Sequence, residues 1–344
     1  MGFRRRKLAL LLNRVGVTRA LLKARAHALL PGKVLTVLTY HRVSDTVAPG
    51  FDPEVVDATP RVFEQQLLEL QRYFTLVDTR DLDAWRGGGE LPANPAMVTF
   101  DDGYRDNHDV VLPILQRRRA KAVFFIASQY IADRRVFWWE HVNRALTESR
   151  RPEVKLTYPA PLSFPLGSLV KQRLAIGNLL RRLKQEPAVD MARFLEELYA
   201  ACGLPFGSAE ERKLADALLM SWDQVRALHA AGMDVQSHSH AHRVLQTLPP
   251  EALAEDLTAA RTSLEEALGK KVTALAYPTG KPIRGDAELR QAVRTAGFRY
   301  GFTVDRLVPL SRVEDWLDIP RIMMDRSFSM AYYRSTLAMP ALAD

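Results

Sequence analysis

The apolar positions of the chain fall into short continuous runs separated by amphipathic stretches. Residues 34–40 (Val-Leu-Thr-Val-Leu-Thr-Tyr) form the first run, and others occur at 74–77, 96–100, 120–126, 233–237, 272–277 and 300–304. Runs of this length without strict alternation predict strands covered on both faces, as in parallel sheets. Between most of them apolar residues recur at helical steps: Phe63, Leu67 and Leu70 follow Pro60, a residue suited to a first helical turn. Strand and helix alternating this often predict a parallel sheet or a β/α barrel.

One stretch departs from the alternation. Across about 138–220 the periodicity is helical at 169–184, 191–202 and 209–219, a Pro-rich connector holds Pro159, Pro161 and Pro165, and no strand is predicted. It reads as a helical insertion on a body spanning 34–330, with a C-terminal helix or tail at 331–344. Residues 1–33 form a third region, in which Leu8, Leu11, Leu12, Val15, Leu22, Ala26 and Leu29 recur at helical steps between basic residues. Two readings of this arm stand: a helix lying on an anionic membrane surface, or a terminal helix packed on the body with a solvated basic face.

Composition narrows the class. With 344 residues, 47% hydrophobic and 26% charged, the chain is globular with an ample core, which excludes disorder, collagen and coiled coil as its main architecture. The arm carries nine Lys or Arg and no acid, so the remaining residues sum to −1 against a total of +8. A nucleic-acid-binding domain would spread its cations over the folded surface, so no nucleic-acid partner is expected. Cys202 is the single cysteine, which excludes an intramolecular disulfide, and no apolar run reaches the roughly 18 residues of a membrane span. Arg4-Arg5-Arg6-Lys7 and the apolar residues after them resemble the start of a signal peptide. The apolar run ends after five residues at Asn13-Arg14, and no small-residue cleavage pattern follows. The expected location is cytoplasmic, with peripheral contact to the inner membrane face through residues 1–33 as the alternative.

Two motifs sit where predicted strands end. Thr99-Phe100-Asp101-Asp102-Gly103-Tyr104 places adjacent carboxylates at a strand's carboxyl end, where barrel and open-sheet folds build their sites. Ser237-His238-Ser239-His240-Ala241-His242 places three imidazoles at another. Neutral imidazole is a common ligand of zinc and similar ions, and His238 and His242 converge if the loop enters a helical turn. One Asp with two His makes a facial triad with open positions for water and substrate, and leaves the second Asp free as a general base. Alone, Asp-Asp-Gly is equally a structural turn and the histidines a solvated loop.

These residues resemble the polysaccharide deacetylases of carbohydrate esterase family 4, the nodulation-type deacetylase domain. Thr99 to Gly103 is similar to that family's first motif, His238 to His242 fits its His-[Ser/Thr]-x-x-His motif, and Ala276-Tyr277-Pro278-Thr279-Gly280 is similar to its Tyr-Pro-x-Gly motif. The resemblance covers about 34–322 apart from the insertion and implies a distorted (β/α) barrel. It further implies Asp101 as base and Asp102, His238 and His242 as ligands of a divalent metal, Zn2+ first, with Co2+, Ni2+ or Mn2+ as alternatives. His240 then falls on a variable position. The family's late histidine is missing, since no histidine follows His242; Tyr40-His41-Arg42-Val43 resembles the Tyr-His-x-Val start of circularly permuted exopolysaccharide deacetylases, which implies His41 as general acid. The third motif lacks the family's Arg, and Arg321 is the candidate to position the base.

The implied activity is metal-dependent hydrolysis of N-acetyl groups on amino sugars of a poly- or oligosaccharide, in cell-surface or exopolysaccharide biosynthesis. Tyr104 is the expected backbone donor to the oxyanion, with Tyr277, Pro278 and Arg321 as further substrate-side candidates. Trp138 and Trp139 read either as a sugar platform or as anchors of the insertion, and His108 as structural. The alternatives are a deacylase or deformylase of a lipid-linked sugar at the cytoplasmic membrane face, and a catalytically silent carbohydrate-binding relative. A phosphatase or receiver domain would not need the histidine pair.

Overall fold

The computed structural model describes residues 2–26, 35–46, 50–186, 189–305 and 316–339. The end of the arm (27–34) and of the tail (340–344) lie outside the described residues, as does Val34 of the first expected strand.

Seven strands, all paired in parallel, close on themselves: β1 (Thr36–Tyr40), β2 (Pro95–Phe100), β3 (Val123–Ile126), β4 (Asp234–Ser237), β5 (Ala274–Ala276), β6 (Tyr300–Val304) and β7 (Ile319–Met323). Closure comes from β1, which pairs with β2 on one side (Tyr40 opposite Phe100) and β7 on the other (Leu38 opposite Ile322). A two-residue strand, Thr75–Leu76, lies beside the start of β2. Strand periodicity divides the side chains between two cores. Val37, Met97, Val123, Phe125, Ala274, Ala276, Phe302 and Ile319 fill the barrel, whereas Leu38, Val98, Phe100, Phe124, Val235 and Leu275 face the surrounding helices. This double burial is why the strands read as continuous apolar runs.

Six of the seven strands coincide with apolar runs of the sequence; β7 does not. Pro320 lacks the backbone donor of a central strand and Arg321 carries a charge, so sequence pattern argues against the element that closes the barrel. In the fold the Arg321 side chain is 1% exposed and its charge is met inside the barrel.

The insertion has a hydrophobic cluster of its own, built on helices Trp138–Glu148, Leu169–Gln185 and Met191–Cys202. It also holds a hairpin that corrects the expectation of an all-helical segment: Glu153–Leu156 pairs antiparallel with Leu162–Pro165. Val154, Leu156 and Phe164 are its buried positions, an alternation hidden by the Pro-rich connector.

The arm forms two helices, Gly2–Arg14 and Val17–Ala26, packed against the last helix, Met330–Ala338. Thr18 and Ser335 share a hydrogen bond at 3.2 Å, and Ser335 Oγ donates to the Ala9 carbonyl. Buried Arg25 donates to the Leu337 carbonyl and to Thr36 Oγ1. One face of the arm is thus packed on the body, while Leu8, Leu11 and Val15 stay exposed on another. No helix of the described residues is long and apolar enough to cross a membrane.

Candidate active site

Strand register brings the functional residues together. The hydrogen-bond ladders run one residue beyond the strands, with Asp101 N–H donating to the Tyr40 carbonyl and His238 N–H to the Ile126 carbonyl, both at 2.9 Å. His41 follows Tyr40 directly, so His41, Asp101 and His238 all leave the carboxyl ends of neighbouring or nearby strands at the barrel mouth.

Asp102, His238 and His242 converge. Nε2 of His238 and of His242 stand 3.4 and 3.2 Å from Asp102 Oδ1, and one ligand atom from each residue lies within 4.8 Å of the others. His238 Nδ1 is 2.8 Å from the Ala276 carbonyl, which makes Nδ1 the protonated nitrogen and turns the Nε2 lone pair toward Asp102. Asp102 Oδ1 is buried and accepts no conventional hydrogen bond. Two imidazole nitrogens and a buried, unsatisfied carboxylate oxygen facing one point make a donor set that fits a divalent metal with nitrogen and oxygen ligands. Burial opposes the ionised form of Asp102, yet the two imidazoles hold its carboxyl well below the usual range. Burial also depresses His242, which favours the neutral, ligating form.

The loops are held in uncommon conformations. Asp102, Ser239 and His242 have φ of +75°, +64° and +50°, in the left-handed region. The second loop is fastened by Asp256, which accepts the N–H groups of His240 and Ala241 at 2.9 Å each, and by Ser239 Oγ, which accepts from His242 N–H. His240 itself turns aside to Ser128 Oγ at 2.8 Å.

Asp101 stands beside this triad, its Oδ2 3.9 Å from His238 Nε2. Arg321 grips it with two parallel hydrogen bonds, Nη1 to Oδ1 at 2.7 Å and Nη2 to Oδ2 at 2.8 Å. Burial pushes the Asp101 carboxyl up, and Arg321, with help from His238 and His41, more than offsets it, so its pKa lies below the ordinary value. His41, at the end of the adjoining strand β1, is fixed by Asp57, which accepts from His41 N–H at 2.5 Å and lies 3.1 Å from Nδ1. Burial alone would lower the His41 pKa; the charge and hydrogen bond of Asp57, then the charges of Asp102 and Asp101, raise it to about 9.

The other substrate-side candidates are placed differently. Tyr104 has its ring buried, its hydroxyl accepting from Trp139 Nε1 and donating to Glu140 Oε1, each at 3.1 Å. Its backbone stays available: the bridge to Leu219 uses the N–H groups of Arg105 and Met220, not that of Tyr104. Tyr277 is 1% exposed and donates its hydroxyl to the Leu317 carbonyl, and Pro278 is buried. The third motif instead supplies the Ala276 carbonyl that orients His238. Arg321 is buried and bonded to Asp101 by both terminal nitrogens. Trp139 is packed on the His242 ring (centroids 4.8 Å) and stacked on Phe137, an anchor and not an open platform; Trp138 is half-buried beside it. His108 lies outside the cluster, bonded to Asp109.

Asp57, Asp256 and Glu140 have no motif in the sequence that marks them. Glu140 accepts the Asp52 N–H and the Tyr104 hydroxyl, and burial pushes its carboxyl up to about 8.

Comparisons with known proteins agree with this architecture. In fold the chain resembles the Streptococcus pyogenes deacetylase PplD solved with acetate (TM-score 0.55, 16% identity, covering 87% of this chain and 95% of that one). It also resembles IcaB from Ammonifex degensii (TM-score 0.50, 19% identity, 89% and 97%) and the BpsB deacetylase domain from Bordetella bronchiseptica (0.51, 17%, 85% and 96%). No curated protein sequence matches the chain. The sequence profile of the polysaccharide deacetylases matches residues 88–155 and 164–301, which include both the Asp101-Asp102 and the His238–His242 motifs, and the chain therefore belongs to the polysaccharide deacetylase family.

Proposed function

We propose that the protein is a metal-dependent hydrolase that removes N-acetyl groups from amino sugars of a cell-surface or exopolysaccharide glycan. The observation that carries this reading is the convergence of Asp102, His238 and His242 beside a carboxylate that Arg321 clamps, with a cationic His41 at the end of the adjoining strand. A divalent cation, Zn2+ first among the options, would be held by Asp102 Oδ1 and the two Nε2 atoms and supplies Lewis-acid polarisation of the acyl carbonyl and of water.

The remaining steps belong to side chains. Asp101, ionised and fixed in orientation, accepts the proton of the attacking water. The developing oxyanion meets the backbone N–H of Tyr104, rigid because the phenol behind it is locked between Trp139 and Glu140. His41, protonated through Asp57, gives its proton to the departing amine, a poor leaving group unless neutralised. Acetate and a free amino sugar result.

A second reading keeps the site and moves the acyl group, acetyl or formyl, to a lipid-linked sugar at a membrane face. The exposed Leu8, Leu11 and Val15 beside Arg14 and Arg19 favour it.

The test is acetate release by the metal-loaded protein from N-acetylglucosamine oligomers and from a lipid-linked acetamido sugar, with Asp101→Asn as control. Release that needs both metal and Asp101 supports the reaction class, and the preferred substrate chooses between the two readings. Tight metal binding with no release from either would favour a silent binding protein instead.

A further inference from the structure

Helix Leu169–Gln185 of the insertion carries Lys171, Arg173, Arg181, Arg182 and Lys184 and no acidic residue. One side, Ala175, Leu179 and Leu183, is buried in the insertion's own cluster. The other leaves Leu169, Val170 and Leu174 exposed at 73%, 68% and 62%, while the remaining exposed large hydrophobics among the described residues reach 40–62%. By helical periodicity Val170, Leu174, Gly177, Arg181 and Lys184 share one ridge, so the solvent face is apolar at its first turns and cationic behind them. Three aliphatic side chains this open, within two turns, mark a surface built for a partner.

The chemistry selects the partner. A second copy in a two-fold contact would set five cations against five. A soluble polyanion would satisfy the cations and leave the three aliphatic residues in water. An anionic bilayer meets both needs, headgroup charge for Lys and Arg and the acyl boundary for the apolar tip. The N-terminal hairpin repeats the combination: Leu8, Leu10, Leu11, Val15 and Val17 are exposed among Lys7, Arg14, Arg19 and Lys23. Among the described residues, eight of the ten exposed large hydrophobics thus lie on the N-terminal hairpin and this helix, which hold cations and no acids.

We propose that helix Leu169–Gln185 is a docking element for an anionic lipid bilayer, its first turns entering the headgroup region. The loop that leads to Asp57 rests on the insertion at Gly50, where a Cβ would meet Glu148 and Arg144.

The experiment is cosedimentation of the full chain with vesicles of phosphatidylcholine, with and without phosphatidylglycerol, in the absence of any sugar, so its outcome is separate from that of the deacetylase reading. Binding is expected to phosphatidylglycerol vesicles, to weaken with salt, and to fall at least tenfold in Leu169→Ser/Val170→Ser/Leu174→Ser. Arg181→Gln and Lys184→Gln should each cost roughly fivefold. These positions are exposed, and unchanged thermal unfolding and turnover of a soluble substrate verify that the variants fold. No binding by the unaltered protein would overturn the proposal. So would loss of binding only in Leu11→Ser/Val15→Ser, which would assign docking to the hairpin. A dimer that dissociates in the triple variant would assign the face to a second copy.

Discussion

Arg321 holds Asp101 by both terminal nitrogens at 2.7 and 2.8 Å in the buried mouth of the barrel, and the pair joins the closing strand to the Asp101-Asp102 motif. The contact fixes both the orientation of the carboxylate and its charge. Arg321→Met would leave a buried carboxylate unpaired, at a cost of about 3–5 kcal/mol in stability, and raise the Asp101 pKa. Arg321→Lys keeps the charge but not the two-pronged geometry. Both should lower kcat, the Lys variant by about 10²-fold through misplacement, and both should move the acidic limb of the pH–rate profile upward, Met more than Lys. An acidic limb that stays in place in both variants would show that the rate does not report Asp101.

The His41–Asp57 pair sets the alkaline side. The folded His41 pKa of about 9 lies above the unfolded value, so the pair's contribution to stability is complete below about 6.5 and is lost as pH rises through about 9. As the proposed general acid, His41 must be protonated, so activity should decline over the same upper range. Asp57→Asn removes the largest raising influence and should bring the alkaline limb down by about 1–3 units, while His41→Ala should cost 10²–10⁴-fold in kcat. If the limb in Asp57→Asn coincided with that of the unaltered protein, another group would be the proton donor.

How much of this was legible in the sequence depended on how local each signal was. Asp101-Asp102 and His238 to His242 are contiguous and follow apolar runs, so both the residues and their placement at strand ends could be read directly. Strand β7 could not, because Pro320 and Arg321 contradict strand chemistry unless the inward partner of Arg321, 220 positions earlier in the chain, is already in place. Asp57 and Glu140 gain their roles through space alone, one against His41 and the other between Asp52 and Tyr104. The contact that the third motif makes with His238 is the Ala276 carbonyl, a backbone atom that sequence pattern does not distinguish. The hairpin at 153–165 had the right alternation, masked by three prolines in its connector and second strand.

Metal binding should be visible without turnover. Asp102 Oδ1 lacks a conventional donor and faces Nε2 of both His238 and His242, a set that a cation would join, so Zn2+ should raise the unfolding temperature. At a hundredfold excess over Kd the stabilisation is about 2.7 kcal/mol, a rise of a few degrees. The shift should vanish in Asp102→Ala and His242→Ala and be reversed by a chelator. His240→Ala should retain it, since that ring is turned to Ser128. Loss of the shift in His240→Ala alone would move the ligand set.

Glu140 makes the fold itself sensitive to pH. Its carboxyl is 1% exposed, accepts the Asp52 N–H and the Tyr104 hydroxyl, and is pushed by burial up to about 8. The folded value exceeds the unfolded one, so the stabilisation it confers is full below about 4.3 and drains away as pH climbs through about 8, where the buried group must ionise. Glu140→Gln keeps a carbonyl acceptor and removes the ionisation. The urea midpoint of the unaltered protein relative to that of Glu140→Gln should therefore fall between pH 5 and pH 9. A difference independent of pH would mean that Glu140 is already ionised in the fold and paired there with Arg42, whose charge acts on it. Because Asp52 leads to Asp57, and Tyr104 follows Asp102 and Gly103 on the same loop, the ionisation of this one carboxyl should act on the segments that carry both the partner of the proposed acid and the proposed metal ligand Asp102.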